Sequence, residues 1–136
     1  VSARVELTGG WFLKPHAPPC PVAGWCVLEL ARPCPTLDAL TGDESRMMGE
    51  HIRRVSAAIR AVTGCQRVYL LAFAESHRQV HLHLVPRQES EEATKAWALA
   101  DLYRAVAAGS LAPVSAQESE GTFIRICQHF TCIAQS

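Results

Sequence analysis

At 136 residues, 49% apolar and 19% charged, the chain has the size and composition of one soluble globular domain. It is long enough to bury a core without metal or disulfide staples. Thirteen Lys and Arg against thirteen Asp and Glu leave no basic excess for gripping a polynucleotide backbone. No apolar run reaches the roughly 20 residues that cross a bilayer, and no signal peptide is visible, so the expected setting is the cytoplasm with no membrane partner. The six cysteines, Cys20, Cys26, Cys34, Cys65, Cys127 and Cys132, form no C-x-x-C pair and are expected as free thiols.

In chain order, residues 5–13 alternate apolar positions around Gly9-Gly10, which predicts short strands joined by a turn. The proline-rich residues 14–21 predict a loop. Residues 25–30, Trp-Cys-Val-Leu-Glu-Leu, are compact and rich in strand formers, and Arg32-Pro33-Cys34-Pro35 closes that strand. Helical signals then dominate from 43 to 63. Thr41 and Glu44 have capping-box spacing, Met48, Ile52, Val55, Ile59 and Val62 step by four and three along one face, and Gly64 stops the run.

Residues 68–73 predict a buried strand and residues 79–85 a second, paired with it as an antiparallel hairpin. A helix is expected over 91–108, capped by Ser90 and ended by Gly109. Beyond Pro113, Phe123, Ile126, Phe130 and Ile133 have helical spacing, while 122–126 also suits a strand. The order of elements predicts an α+β domain: a mainly antiparallel sheet, one long helix packed on it, and a C-terminal helix. Residues 1–112 form the domain in this reading, and 113–136 form a tail packed against it.

The stretch that carries chemistry is Ser76-His77-Arg78-Gln79-Val80-His81-Leu82-His83-Leu84-Val85-Pro86-Arg87. On a strand, Val80, Leu82 and Leu84 share one face, and Gln79, His81 and His83 share the other. Two histidines on an otherwise apolar strand are poor core filler. A neutral imidazole, with an ordinary pKa near 6.5, has a free ring nitrogen able to attack phosphorus, and a second polar group beside it can bind or protonate the surrounding oxygens. H-x-H is also a frequent two-ligand metal unit, for which His16, His51, His77 and His129 would be further candidates. The pair alone does not choose among nucleophile, metal site and surface histidines.

The flanks extend the pattern. His81-Leu82-His83-Leu84-Val85-Pro86-Arg87 resembles the end of the histidine triad signature, H-x-H-x-H followed by two apolar residues and Pro-Arg. The upstream strand at 24–30, Leu37-Asp38-Ala39-Leu40-Thr41 and the long helix follow in the family's order, so the resemblance covers about residues 11–87. The look-alikes are bacterial proteins of diadenosine polyphosphate hydrolase type.

The resemblance implies a nucleotide-phosphate hydrolase or transferase, acting on a dinucleoside polyphosphate or a nucleoside phosphoramidate. His81 would attack the α-phosphate to form a nucleotidyl-histidine, and His83 would contact a phosphate oxygen or the leaving group. Ser76 would bind phosphate, and Arg87 would take a structural role or touch phosphate. It further implies a purine nucleotide as partner, a homodimer, no resident cofactor or metal, and at most a divalent cation arriving with the substrate. The nucleoside pocket in relatives lies on the early strands, which here offer Trp11 and Phe12 as walls, with Lys14 and His16 nearby.

Two positions depart from the pattern. Gln79 stands where the first triad histidine would be, keeping the backbone carbonyl that orients the attacking ring in relatives and adding an amide donor. Ala74-Glu75 replaces the Gly-Gln that commonly precedes the phosphate-binding hydroxyl residue. Both departures favour an alternative, a nucleotide-binding module without turnover. A metal-dependent hydrolase with His81 and His83 as ligands is the other.

Overall fold

The computed structural model describes residues 4–135, with side chains described from residue 4 to residue 130. Five strands, β1 (Val5–Glu6), β2 (Trp11–Pro15), β3 (Cys26–Leu30), β4 (Arg67–Leu71) and β5 (His81–Arg87), form one sheet in the order β1-β2-β3-β5-β4. Every pairing is antiparallel. Among the described residues there are three α-helices, α1 (Gly42–Thr63), α2 (Ala96–Ala107) and α3 (Ala116–Gln135). The expected α+β architecture is the one observed.

The sheet has two unlike faces because side chains alternate along each strand. Trp11, Leu13, Cys26, Leu28, Leu30, Leu82 and Leu84 point to one side, with Val80 just before β5, and there they meet Val55, Ala58 and Ile59 of α1 and Phe123, Ile126 and Phe130 of α3. This is the main core. The opposite face carries Phe12, Lys14, Val27, Glu29, His81 and His83. Its far end is covered by α2, where Leu99 and Leu102 pack on Trp25, Tyr69, Leu71 and Val85.

The capping box of α1 forms as expected: Glu44 N–H donates to Thr41 Oγ1 at 3.1 Å, and Thr41 N–H donates to Glu44 Oε1 at 2.8 Å. Arg32 adds a two-pronged contact to the same carboxylate, 2.7 Å to each oxygen, which holds the Glu44 carboxyl down at about 2. The capping residue thereby ties the end of β3 to the start of α1.

Three expectations are corrected. β2 runs on through Lys14 and Pro15, because both pair with β3 (Lys14 with Val27, Pro15 with Cys26), so the loop starts later than the proline pattern suggests. β4 is an edge strand rather than a buried one. It pairs only with β5, Leu70 is 46% exposed, and Phe73, expected inside the strand, lies beyond its end at 74% exposure. The helix expected from 91 is broken: residues Glu92–Thr94 make a separate 3-10 turn, and α2 begins only at Ala96. Arg87 explains the break. Its buried guanidinium donates to the carbonyls of Gln88 and Glu91 and to Thr94 Oγ1, pinning the connection as a turn. That is the structural role foreseen for it.

The tail beyond Pro113 is helix, not strand, and α3 supplies three residues of the main core. Ile133 and Cys132 lie outside the described side chains. Cys20, Cys26, Cys34 and Cys65 are thiols rather than disulfides, and no described helix is long and apolar enough to cross a membrane.

Because Ile126 is fully buried between α1 and the sheet, Ile126→Ala should cost about 2–5 kcal/mol of stability. Denaturant unfolding should show one transition with a lowered midpoint. An unchanged midpoint would mean that α3 is not part of the domain core.

Candidate active site

The antiparallel register sets the site. Glu29 on β3 lies opposite His81 on β5, and His83 lies between Val27 on β3 and Leu71 on β4. All face away from the main core. The imidazoles of His81 and His83 have centroids 5.2 Å apart, and the His77 ring, from the loop before β5, stands 5.2 Å from His81 on its other side.

Each ring has a fixed orientation. His81 Nδ1 lies 2.6 Å from the Gln79 carbonyl. A carbonyl oxygen only accepts, so Nδ1 carries the proton and Nε2 is left with its lone pair. His83 is set the opposite way. Trp25 Nε1–H, which can only donate, lies 2.9 Å from His83 Nδ1, so Nδ1 accepts and the proton sits on Nε2. Burial, then the neighbouring His81, His16 and Lys14, lower the His83 pKa to about 4. The His16 ring packs edge-on to Trp25 at 4.6 Å, and burial lowers its pKa too. The pair on β5 is therefore an imidazole with a bare nitrogen beside an imidazole with an N–H.

Gln79 is placed differently from its expected position beside the two histidines. Its amide nitrogen donates to the carbonyls of Leu30 (2.8 Å) and Arg32 (2.7 Å), and its amide oxygen accepts from Cys34 N–H (2.8 Å). Both donors are spent on the backbone that follows β3, so the side chain offers nothing to a phosphate. Its carbonyl, as expected, orients His81. The ring beside His81 comes from His77 instead, whose Nε2 is 3.5 Å from Glu29 Oε1.

Ser76 and Glu75 both line the cleft that opens over His81 and His83. The early-strand candidates divide. Trp11 is wholly buried on the helix-facing side, with its indole N–H donated to the Glu44 carbonyl at 3.0 Å, so it is a core residue and cannot wall a pocket beside His81. Phe12 is on the correct face, but the Arg4 guanidinium lies 3.8 Å above its ring. The reason for the split is the strand period: adjacent residues face opposite ways.

A cation has one candidate seat among the described residues: Glu29, His77 and His81 each offer a ligand atom within 4.8 Å of the others. Lys14 Nζ already stands 3.1 Å from Glu29 Oε1 in that cluster, so the carboxylate is neutralised as folded. His83 is outside the cluster, with one nitrogen engaged by Trp25. His51 is buried on α1, donating from Nε2 to the Thr8 carbonyl, and His129 is on α3, in the helical layer.

Sequence reasoning missed Trp25 and Glu29. Trp25 read as the start of an apolar strand, and nothing local marks it as the partner of a histidine 58 positions away. Glu29 did carry a signal. It is the one acid in an apolar strand run, and such a residue needs a buried partner.

No family model matches this sequence, and no curated protein matches it. Solved structures do match in fold. A hypothetical histidine triad nucleotide-binding protein from Sulfolobus tokodaii aligns over 98% of this chain and 86% of its own, with a TM-score of 0.72 at 11% identity. A histidine triad protein from Sinorhizobium meliloti aligns over 94% and 89%, with a TM-score of 0.70 at 18% identity. A zinc-bound histidine triad family protein from Mycobacterium smegmatis aligns over 99% and 88%, with a TM-score of 0.72 at 10% identity. The fold is that of the histidine triad proteins.

The folded chain binds a proton at His83 only near pH 4, whereas the unfolded chain does so near 6.5. The contribution of His83 to stability is thus present above about pH 6.5 and lost as pH falls toward 4. Nitrogen-15 NMR should find His83 neutral and protonated at Nε2 at about pH 6, and Trp25→Phe should release that tautomer preference. An imidazolium signal for His83 at that pH would contradict the assignment.

Proposed function

We propose that this chain is a nucleotide-phosphate hydrolase or transferase of the histidine triad superfamily, with His81 as nucleophile. The observation that carries the reading is the opposed tautomers on β5. His81 has its Nδ1–H fixed by the Gln79 carbonyl and its Nε2 bare, while His83, 5.2 Å away, has its Nδ1 taken by Trp25 and its Nε2–H available. A nucleophile and a hydrogen-bond donor for the reacting oxygens or leaving atom, side by side, suit transfer at phosphorus.

In the proposed cycle, His81 Nε2 attacks the α-phosphorus of a purine nucleotide and a P–N bond forms. The bond from phosphorus to the leaving atom breaks with its electron pair; His83 Nε2–H donates a hydrogen bond to that atom, which takes its proton from solvent water. The positive charge that develops on the His81 ring is met by the Gln79 carbonyl at Nδ1. In the second half, water attacks the same phosphorus and loses its proton to solvent, and the P–N bond breaks with its electron pair returning to His81 Nε2, which frees the nucleoside monophosphate. Ser76 contacts the phosphate oxygens in this reading. Phe12 is the remaining early-strand wall for the nucleoside, once Arg4 swings off its ring. A nucleoside phosphoramidate or a dinucleoside polyphosphate is the substrate class. A homodimer and a cytoplasmic location belong to the same reading.

Two other readings have an observation each. A binding module without turnover is favoured by Glu75 on the cleft wall, whose charge opposes phosphate. A metal-dependent hydrolase is favoured by the Glu29, His77 and His81 cluster. One assay separates the three: release of nucleoside monophosphate from adenosine 5′-phosphoramidate, with and without chelator. Turnover should persist in chelator. His81→Ala should lower it by several orders of magnitude, and His83→Ala by about 10²–10³-fold. Turnover that vanishes on chelation supports the metal reading, and binding without turnover supports the module. Undiminished turnover by a folded His81→Ala protein would remove His81 as nucleophile.

A further inference from the structure

The cleft that opens over His81 and His83 runs away from β2 and β3, toward the edge strand β4 and helix α2. Its volume is about 710 Å³, far more than a phosphate group fills. Beyond the histidines its walls are Trp25, Leu71, Phe73, Trp97, Leu99 and Tyr103. Trp97 is 83% exposed and Phe73 74% exposed, so two large aromatic side chains stand in solvent at the mouth of a pocket rather than in a core.

The backbone at that mouth is strained on both sides. Among the described residues, the non-glycine residues with positive φ are Ala74 (56°) and Ala96 (40°). Both line the cleft, and each adjoins one of the exposed aromatics, Phe73 and Trp97. Strain of this kind persists where surrounding structure over-determines it, and it gathers at ligand sites.

Charge decides what the cleft receives. Its lining has one acid, Glu75, and one base, Arg104, and Arg104 is already paired with Asp101 at 3.2 Å. Lys14, the ammonium beside the histidines, is bound to Glu29. Among the described residues, no unpaired cation lines the cleft itself to hold a run of phosphates. Polar groups are concentrated at the histidine end, and His83, whose Nε2–H is its one uncommitted polar atom, forms part of that floor.

We infer that this cleft between β4 and α2 is the seat of the group that leaves phosphorus, and that this group is an aromatic or bulky apolar amine or alcohol rather than a second nucleotide. The inference rests on the proposed nucleophile. With the phosphorus at His81, the leaving atom faces His83 Nε2–H, and the carbon skeleton it carries extends among Trp25, Trp97 and Tyr103. Attack by His81 Nε2 forms the P–N bond, the P–N or P–O bond to the leaving group breaks with its electron pair, and the leaving atom, held by a hydrogen bond from His83 Nε2–H, takes a proton from solvent water and departs as the amine or alcohol. The nucleoside then lies on the opposite side of the histidines.

The test compares two adenosine 5′-phosphoramidates that differ only in the amine, N-methyl and N-(2-phenylethyl). Native protein should prefer the phenylethyl compound by about tenfold or more in kcat/KM, and Phe73→Ala/Trp97→Ala should cut that ratio below about threefold. Both positions are solvent-exposed, so the double variant should fold, which circular dichroism checks. Equal kcat/KM for the two compounds, or a preference that survives in the double variant, overturns the inference. If native protein turns over neither compound, the proposed function falls. Calorimetry with the same intact compounds then decides the cleft separately. Tighter binding of the phenylethyl compound that is lost in the double variant sustains it, and equal affinity overturns it.

Discussion

Gln79 holds this structure and its site together from two directions. Its carbonyl accepts from His81 Nδ1 and so decides which nitrogen of that ring is bare. Its side chain meanwhile grips the backbone at Leu30, Arg32 and Cys34, fastening the exit of β3 to the entry of β5. Arg32, within that gripped segment, binds Glu44, and Glu44 closes the capping box of α1. A half-buried amide with every hydrogen-bonding group satisfied rigidifies its neighbourhood. The position where the first histidine of the triad pattern would stand has thus become the bracket that holds the second in register.

From that bracket, the two-residue period of the strands does the rest. One face of β3 and β5 sends Cys26, Leu28, Leu82 and Leu84 into a core closed by α1 and α3. The other face sends Glu29, His81 and His83 toward solvent, where α2 and the loop before β5 build walls around them. Trp25 sits at the join of these two tasks. Its ring packs beneath α2, and its N–H fixes His83. Packing of the second cluster and protonation of the site are therefore linked through one side chain. A loosened α2 would reach the chemistry by freeing His83 to turn.

Much of this was legible in the sequence. The cap, stripe and stop of α1 are local signals and fall where the sequence places them. Alternation along β5 correctly put His81 and His83 opposite Val80, Leu82 and Leu84. What failed to show was decided by partners distant in sequence. Hydrophobic content marked 68–73 as buried, yet an edge position leaves Leu70 exposed. Trp11 and Phe12 looked interchangeable until the register of β2 sent one into the core. Gln79 shares a strand face with His81 by alternation alone, but it precedes the paired segment of β5 and is free to turn to the loop. The break between the 3-10 turn and α2 depends on the buried Arg87, and α3 took its form from packing on α1.

The central claim is that His81 Nε2 becomes bonded to phosphorus. The most direct measurement is mass spectrometry of protein quenched within milliseconds of mixing with a nucleoside phosphoramidate. The account predicts a nucleotidyl adduct, labile in acid and stable in base as a P–N bond is, on the peptide that holds His81 and absent from His81→Ala protein. Accumulating product with no adduct at any time, or an adduct on another residue, would contradict it.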